Sequence, residues 1–242
     1  MKNINAENMP YKELNSFIRQ SKETKFSLTG VMGQRFIGCA LKNKEIEITG
    51  IPGNALGACL NGGSTIVVNN NCQDATGDTM NDGTIIVHGN CGDTAGYAMR
   101  GGKIFIKESA GYRMGLHMKA YNERQPLMII GDSAGSFLGE YLAGGTIIVL
   151  GLRQGGKCPV GNFCGTGMYG GRIFLRSNSL PKDISSHIDA TIANKEELDS
   201  IKSEVQDFCD IFDFESKDIF KENFFILTPS KSTSYKKKYT AV

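Results

Sequence analysis

Three histidines, seven cysteines and a scatter of carboxylates are the side chains of this 242-residue chain whose types and spacing could do chemistry. His88, His117 and His187 lie far apart, and no two are spaced to chelate one metal or to pair a base with a nucleophile. Cys39, Cys59, Cys72, Cys91, Cys158, Cys164 and Cys209 are odd in number and contain no C-x-x-C. Reduced, buried thiols are expected from that pattern rather than a disulfide framework or a zinc site. Cys158 and Cys164 stand six apart, but an iron–sulfur site needs a third thiolate and none follows within 40 residues. Asp74 and Asp93 are 19 apart and fall in one position of a repeat. Paired carboxylates serve acid–base catalysis, whereas Asp beside glycine more commonly shapes a turn.

Two glycine-rich strings imitate nucleotide sites. Residues 151–157 (GLRQGGK) have the spacing of a phosphate-binding P-loop and follow a strand-like run. Cys158 stands where a magnesium-binding Ser or Thr belongs, and Pro159, Gly161 and Gly165 follow in place of a helix. Residues 165–170 (GTGMYG) match G-x-G-x-x-G, yet Arg172-Ile-Phe-Leu175 reads as a strand, so the strand–turn–helix context of a dinucleotide site is missing.

The elements that position these residues come from a repeat. Strand-like clusters begin at Glu45, Thr65, Thr84, Lys103, Leu127, Thr146 and Arg172, at spacings of 20, 19, 19, 24, 19 and 26. A 19-residue period is visible, with inserted loops at 119–125 and 152–158. In phase with the strands runs G-x-x-x-G-x-x-(Leu/Met): Gly53/Gly57/Leu60, Gly92/Gly96/Met99, Gly111/Gly115/Met118, Gly135/Gly139/Leu142 and Gly161/Gly165/Met168. A copy at Gln73, Gly77 and Met80 lacks its first glycine. All 30 glycines fall between Gly30 and Gly171, which leaves a glycine-free head and tail.

A 19-residue unit is too small to bury its own apolar face, whereas stacked units bury a continuous core. One turn at about 3.3 Å per residue gives a perimeter of roughly 60 Å, and seven turns stack to about 34 Å. The expected fold is mainly β: a single-stranded right-handed parallel β-helix of about seven turns. The Leu60/Met80/Met99/Met118/Leu142/Met168 column would fill its interior, and corner glycines would supply positive φ or close approach. Expected units are an N-terminal helical cap over 1–29, the β-helix over 30–178, and an extension over 179–242 with one helix and a basic tail. The head helix starts near Pro10 and carries Tyr11, Leu14, Phe17 and Ile18. The tail helix starts at a capping box, Asn194 and Glu197, and continues as a Leu198/Ile201/Val205/Phe208 stripe. Residues 224–228 form a candidate strand, and Lys236-Lys237-Lys238 reads as a solvated end. No apolar run reaches membrane-spanning length, the start has no signal-peptide core, and net charge is +2. A cytoplasmic protein without membrane or nucleic-acid partners is expected.

The strings 53–57 (GNALG), 79–83 (TMNDG), 99–106 (MRGGKIFI) and 139–145 (GEYLAGG) resemble the C-terminal GXGXG domain of the glutamate synthase large subunit, and more closely its stand-alone version. The resemblance covers about residues 30–178. It implies a right-handed β-helix without catalytic residues, serving an enzyme that moves glutamine amide nitrogen to 2-oxoglutarate. It places no cofactor in this chain; FMN and an iron–sulfur cluster belong to a barrel partner, and glutamine hydrolysis to a glutaminase partner. The fold also resembles the β-helix subunit of formylmethanofuran dehydrogenase. Other readings are an orphan β-helix enzyme, for which Asp74 and Asp93 are the only hint, and a self-associating scaffold or homo-oligomer. Arg124, Arg153 and Lys157 on the two inserted loops are candidate partner contacts.

Overall fold

A computed structural model describes residues 1–230; Lys236, Lys237 and Lys238 lie outside the described residues. The strands are β1 (Lys2–Asn5), β2 (Lys25–Met32), β3 (Glu45–Ile51), β4 (Thr65–Val68), β5 (Thr84–Val87), β6 (Lys103–Ile106), β7 (Leu127–Ile130), β8 (Ala143–Val149), β9 (Gly170–Arg176), β10 (Ile188–Ile192) and β11 (Phe224–Pro229). The helices are α1 (Tyr11–Gln20), α2 (Lys195–Asp199), α3 (Lys202–Phe212) and α4 (Ser216–Ile219). β1 to β9 pair in parallel, each with the next in sequence, so the chain is a parallel β-solenoid of about seven turns with few short helices.

Register follows from the period-2 pattern of β-branched residues. Ile66, Ile85, Ile104, Met128, Ile147 and Ile173 face one another rung by rung. All six are fully buried in the bore, where Leu60, Met80, Met99, Met118, Leu142 and Met168 also pack. A one-residue slip would turn every one of these side chains outward, which is what fixes the register.

The outward-facing column changes character along the axis. It runs Ser27, Glu47, Val67, Ile86, Phe105, Ile129, Ile148 and Phe174. From Phe105 onward it forms a second core with Ile201, Val205, Phe208, Cys209 and Phe212. The tail helices therefore lie on the outer sheet face rather than over an end. The expected single tail helix is divided: α2 begins with the Asn194–Glu197 capping box, then the chain breaks at Ser200 and Ile201 before α3. Ile201 turns into the core at that break, so the stripe stays continuous although the helix does not.

The ends are closed by different devices. At one end β1 adds a polar rung to β2, and α1 buries Leu14 and Ile18 against the bore while Tyr11 and Phe17 stay exposed. The head is thus strand, helix and strand rather than a helix alone, and Pro10 caps α1 from just outside it. At the other end β11 reverses direction along β9, and β10 along β11. Ile188 and Leu227 plug the bore there.

Candidate functional site

The repeated corner between strands is where sequence placed most of the residues with chemical potential. Its two glycine columns have different physical reasons. Gly57, Gly77, Gly96, Gly115, Gly139 and Gly165 all have positive φ and point the missing Cβ into the bore. At Gly115 that Cβ would stand 2.6 Å from Ile147 Cδ1. Gly53, Gly92, Gly111, Gly135 and Gly161 have ordinary φ and are glycine because the preceding rung lies against them. Gly111, for example, leaves no room between itself and Asp93 Oδ1. A seventh corner, at Gln34, Gly38 and Leu41, escapes the sequence pattern because Gln34 replaces its first glycine as Gln73 does in another copy. Gln34 is buried; its Nε2 donates to Ala6 O at 2.8 Å and its Oε1 accepts from Met32 N at 2.7 Å, which fastens the head.

The carboxylate column is occupied by the backbone. Asp74 Oδ1 accepts from Asp93 N at 2.9 Å, and Asp93 Oδ1 accepts from Tyr112 N at 2.8 Å. Each caps the next rung's turn, as Ser136 does for Asn162. The thiols are interior. Cys72 and Cys91 stack on adjacent rungs with their sulfurs 3.2 Å apart, and Ala110, Ala134 and Val160 continue the same column. The hydrogen bond to Cys72, together with burial, holds the Cys91 thiol well above its ordinary range. Cys158 is half-buried and Cys164 buried, and burial raises both thiols. Among the described residues no three His, Cys, Asp or Glu side chains group as a metal site.

The histidines are separate. His88 meets Phe212 of α3 edge-on at 5.2 Å, and burial followed by Lys107 lowers its pKa. His117 stacks on Tyr141 at 5.0 Å. His187 lies just before β10.

The P-loop-like turn already holds an anion of its own. Asp132, 6% exposed, accepts from Arg153 N at 3.1 Å and Gln154 Nε2 at 2.9 Å through Oδ1, and from Ser109 Oγ at 3.0 Å through Oδ2. Burial alone would raise this carboxyl, but the hydrogen bonds from Gln154, the Arg153 amide and Ser109, with the Arg153 charge, outweigh it and hold the pKa below the ordinary range. Arg153 also reaches Asp132 at 3.4 Å and Glu108 at 3.6 Å. Lys157 is exposed on the same turn. Arg124 folds over Gly101 and donates to Asn81 O at 3.3 Å. The three candidate contacts therefore do not form one patch: Arg153 and Lys157 share a turn, and Arg124 lies over Gly101, just before β6.

What sequence reading missed is an aromatic surface on that corner. Arg113, Phe137 and Phe163 occupy one column on successive rungs, with the guanidinium 5.0 Å above Phe137 and Phe137 stacked 5.0 Å from Phe163. Four residues along, His117 and Tyr141 form a second stack, with Tyr97 edge-on to His117 at 6.1 Å. Gly167 lies beneath Tyr141 and leaves room for its ring. Tyr97, Tyr112, Tyr141 and Phe163 remain 39–57% exposed. The signal was present as large residues in columns that carry Ala, Thr or Cys on the middle rungs.

Comparisons with known proteins agree with the coil. The family model described as "GXGXG motif" matches residues 17–229. A curated relative, uncharacterized protein MJ1350 of Methanocaldococcus jannaschii, is 46% identical over 219 residues, covering 86% of this chain and 84% of its own. Among solved structures, a chain of the formyltransferase/hydrolase complex (FhcABCD) from Methylorubrum extorquens, determined with methylofuran, superposes with a TM-score of 0.63 at 20% identity. That match covers 85% of this chain and 84% of the other, and at that identity it speaks to the fold.

Proposed function

The chain belongs to the GXGXG motif family, and on that premise we propose that it is a non-catalytic scaffold subunit of a glutamate synthase-type enzyme. In this reading a glutaminase-type partner releases the amide nitrogen of glutamine. A barrel partner carrying FMN and an iron–sulfur cluster uses that nitrogen to convert 2-oxoglutarate to glutamate. This chain holds the two in register in the cytoplasm and contributes no cofactor. The observation that carries the reading is the family match across almost the whole described chain, on a solenoid whose bore is filled by aliphatic and thioether side chains. The division of labour also suits the local chemistry. Asp74 and Asp93 are engaged as turn caps, and His88 and His117 pack against separate aromatic rings.

Co-expression with the glutaminase-type and FMN-barrel subunits of the same genome tests the proposal. A stoichiometric complex should form that consumes reductant only when glutamine and 2-oxoglutarate are both present. Leaving this chain out should uncouple the partners and leave their half-reactions intact. Fully coupled activity without this chain would overturn the proposal. The solenoid likeness favours one second reading, a β-solenoid partner of a formylmethanofuran dehydrogenase-type enzyme. Co-purification with a molybdenum or tungsten protein, and no flavin, would support it.

A further inference from the structure

We propose that the aromatic corner formed by Tyr97, His117, Tyr141 and the Arg113–Phe137–Phe163 stack, with the basic side chains of Arg100, Lys119 and Arg124 beside it, docks a partner subunit through a surface apolar at its centre and carboxylate-rich at its rim. The inference rests on the scaffold reading and adds to it the face used and the chemistry of what covers it.

Three observations carry it. First, the fold does not need these aromatic residues. Arg113, His117, Phe137, Tyr141 and Phe163 all hold φ between 53° and 62°, a conformation that large L-residues adopt at a cost. On the middle rungs the equivalent positions are Ala55, Ala75 and Thr94 in one column and Cys59, Thr79 and Ala98 in the other, with the same positive φ; on the first rung they are Phe36, which meets Tyr11 of α1, and Ala40. The backbone forms as well with small side chains, so the rings answer to something other than the coil.

Second, the cations beside the rings lack counterions. Arg100 N bonds to Met80 O and Lys119 N to Met99 O, so these two basic residues sit in register on adjacent rungs. Like charges so placed repel each other. Among the described residues neither they nor Arg124 has a carboxylate within ion-pair distance, whereas Lys25 pairs with Glu45 at 2.7 Å and Arg113 with Glu140 at 2.9 Å. A carboxylate rim on the partner completes this set.

Third, the composition is that of an interface centre: exposed Tyr, Phe and Arg, with the charged groups at the edge. The rings lie 5.0 Å apart on one another, which leaves no gap for a nucleic-acid base between them. A protein surface suits them better than a single strand.

The test uses the full chain co-purified with its glutaminase-type and barrel subunits. Hydrogen exchange is compared between the free chain and the complex. Protection is expected at residues 97–101, 112–119 and 137–141. R100E/K119E and Y141A should each weaken assembly by about tenfold or more at low salt, the charge variant losing its effect as salt is raised. Both should keep the wild-type melting temperature, and exposed Lys217→Glu should leave assembly unchanged. A complex whose protection lies elsewhere, or that R100E/K119E leaves intact, overturns the inference while the scaffold reading stands. Failure of the wild-type chain to assemble overturns both. Protection of this corner by a single-stranded oligoribonucleotide alone overturns it in favour of a nucleic-acid surface.

Discussion

Replacing Gly115 with alanine separates the two reasons for a corner glycine. Gly115 has φ +67°, and a Cβ there would stand 2.6 Å from Ile147 Cδ1 and 3.5 Å from its Cγ1. Gly63 has nearly the same φ, +68°, but a Cβ there would meet nothing within 4 Å. Left-handed alanine costs about 1 kcal/mol, so Gly63→Ala should lose about that much. Gly115→Ala adds an overpacking cost of about 2 kcal/mol, for a total of about 3. For a chain of this size each kcal/mol lowers Tm by about 2–4 °C, so melting should fall by roughly 6–12 °C. Ile147→Val removes Cδ1 at a cost of about 1 kcal/mol by itself. The double variant should then lose about 2 kcal/mol rather than the sum of about 4, a coupling of about 2 kcal/mol. Urea titration of the wild type and these four variants measures this. If Gly115→Ala costs no more than Gly63→Ala, or the cycle shows no coupling, the bore contact is not what keeps that column glycine.

Three further outcomes follow from the geometry. Asp132→Asn should cost about 1–3 kcal/mol near neutral pH, because a charged acceptor with four donor contacts is replaced by a group that is partly a donor. Since the folded pKa is depressed, that difference should hold above the ordinary carboxylate range and vanish as pH falls through the folded value, which urea midpoints at several pH values will show. Phe208→Ala should lose about 3–5 kcal/mol and expose residues 195–229 to hydrogen exchange, while protection over β3 to β5 persists. In alkylation followed by mass spectrometry at mildly alkaline pH, exposed Cys59 should react first. Cys72, Cys91, Cys164 and Cys209 should react only on unfolding, because they are buried and burial pushes Cys209 up to about 11.

The body of the fold was legible because its strands and corners repeat. Four strand clusters match their observed bounds, from Thr65–Val68 to Leu127–Ile130, and every predicted interior Leu or Met is in the bore. The head was harder for a physical reason. β1 (Lys2–Asn5) has the sequence KNIN, with only Ile4 inward, so it carries no period of its own and is a strand only because β2 offers it a partner. β2 has Phe26 and Leu28 in register with Ile46 and Ile48, but the corner after it lacks the first glycine. In the tail, the stripe from Ile201 to Phe208 is visible in the sequence while the break at Ser200 is not, since Ile201 serves the core either way. At the candidate site, the turn-cap reading of Asp74 and Asp93 could be made from sequence because Asp beside glycine has local meaning. The aromatic corner has no such local meaning, because the side chains that meet are 20 to 26 residues apart and come together only through the register of the coil.

The outer strand column supplies a rule for reading the rest of the surface. It is Ser27 and Glu47 where the sheet faces water, and Phe105, Ile129, Ile148 and Phe174 where α3 lies on it. On that face, large apolar residues appear where something covers them. In the corner column Phe36 on the first rung meets Tyr11 of α1 at 6.2 Å, the middle rungs carry Ala55, Ala75 and Thr94, and Phe137 and Phe163 stand on the late ones, with the backbone unchanged throughout. Among the described residues no element lies over it, and Tyr141 and Phe163 stay exposed. Both columns are large and apolar on the same late rungs, where the sheet face has a cover within the chain and the corner does not. If one rule governs both columns, the corner's cover belongs to another polypeptide, and the unpaired charges of Arg100 and Lys119 give its sign.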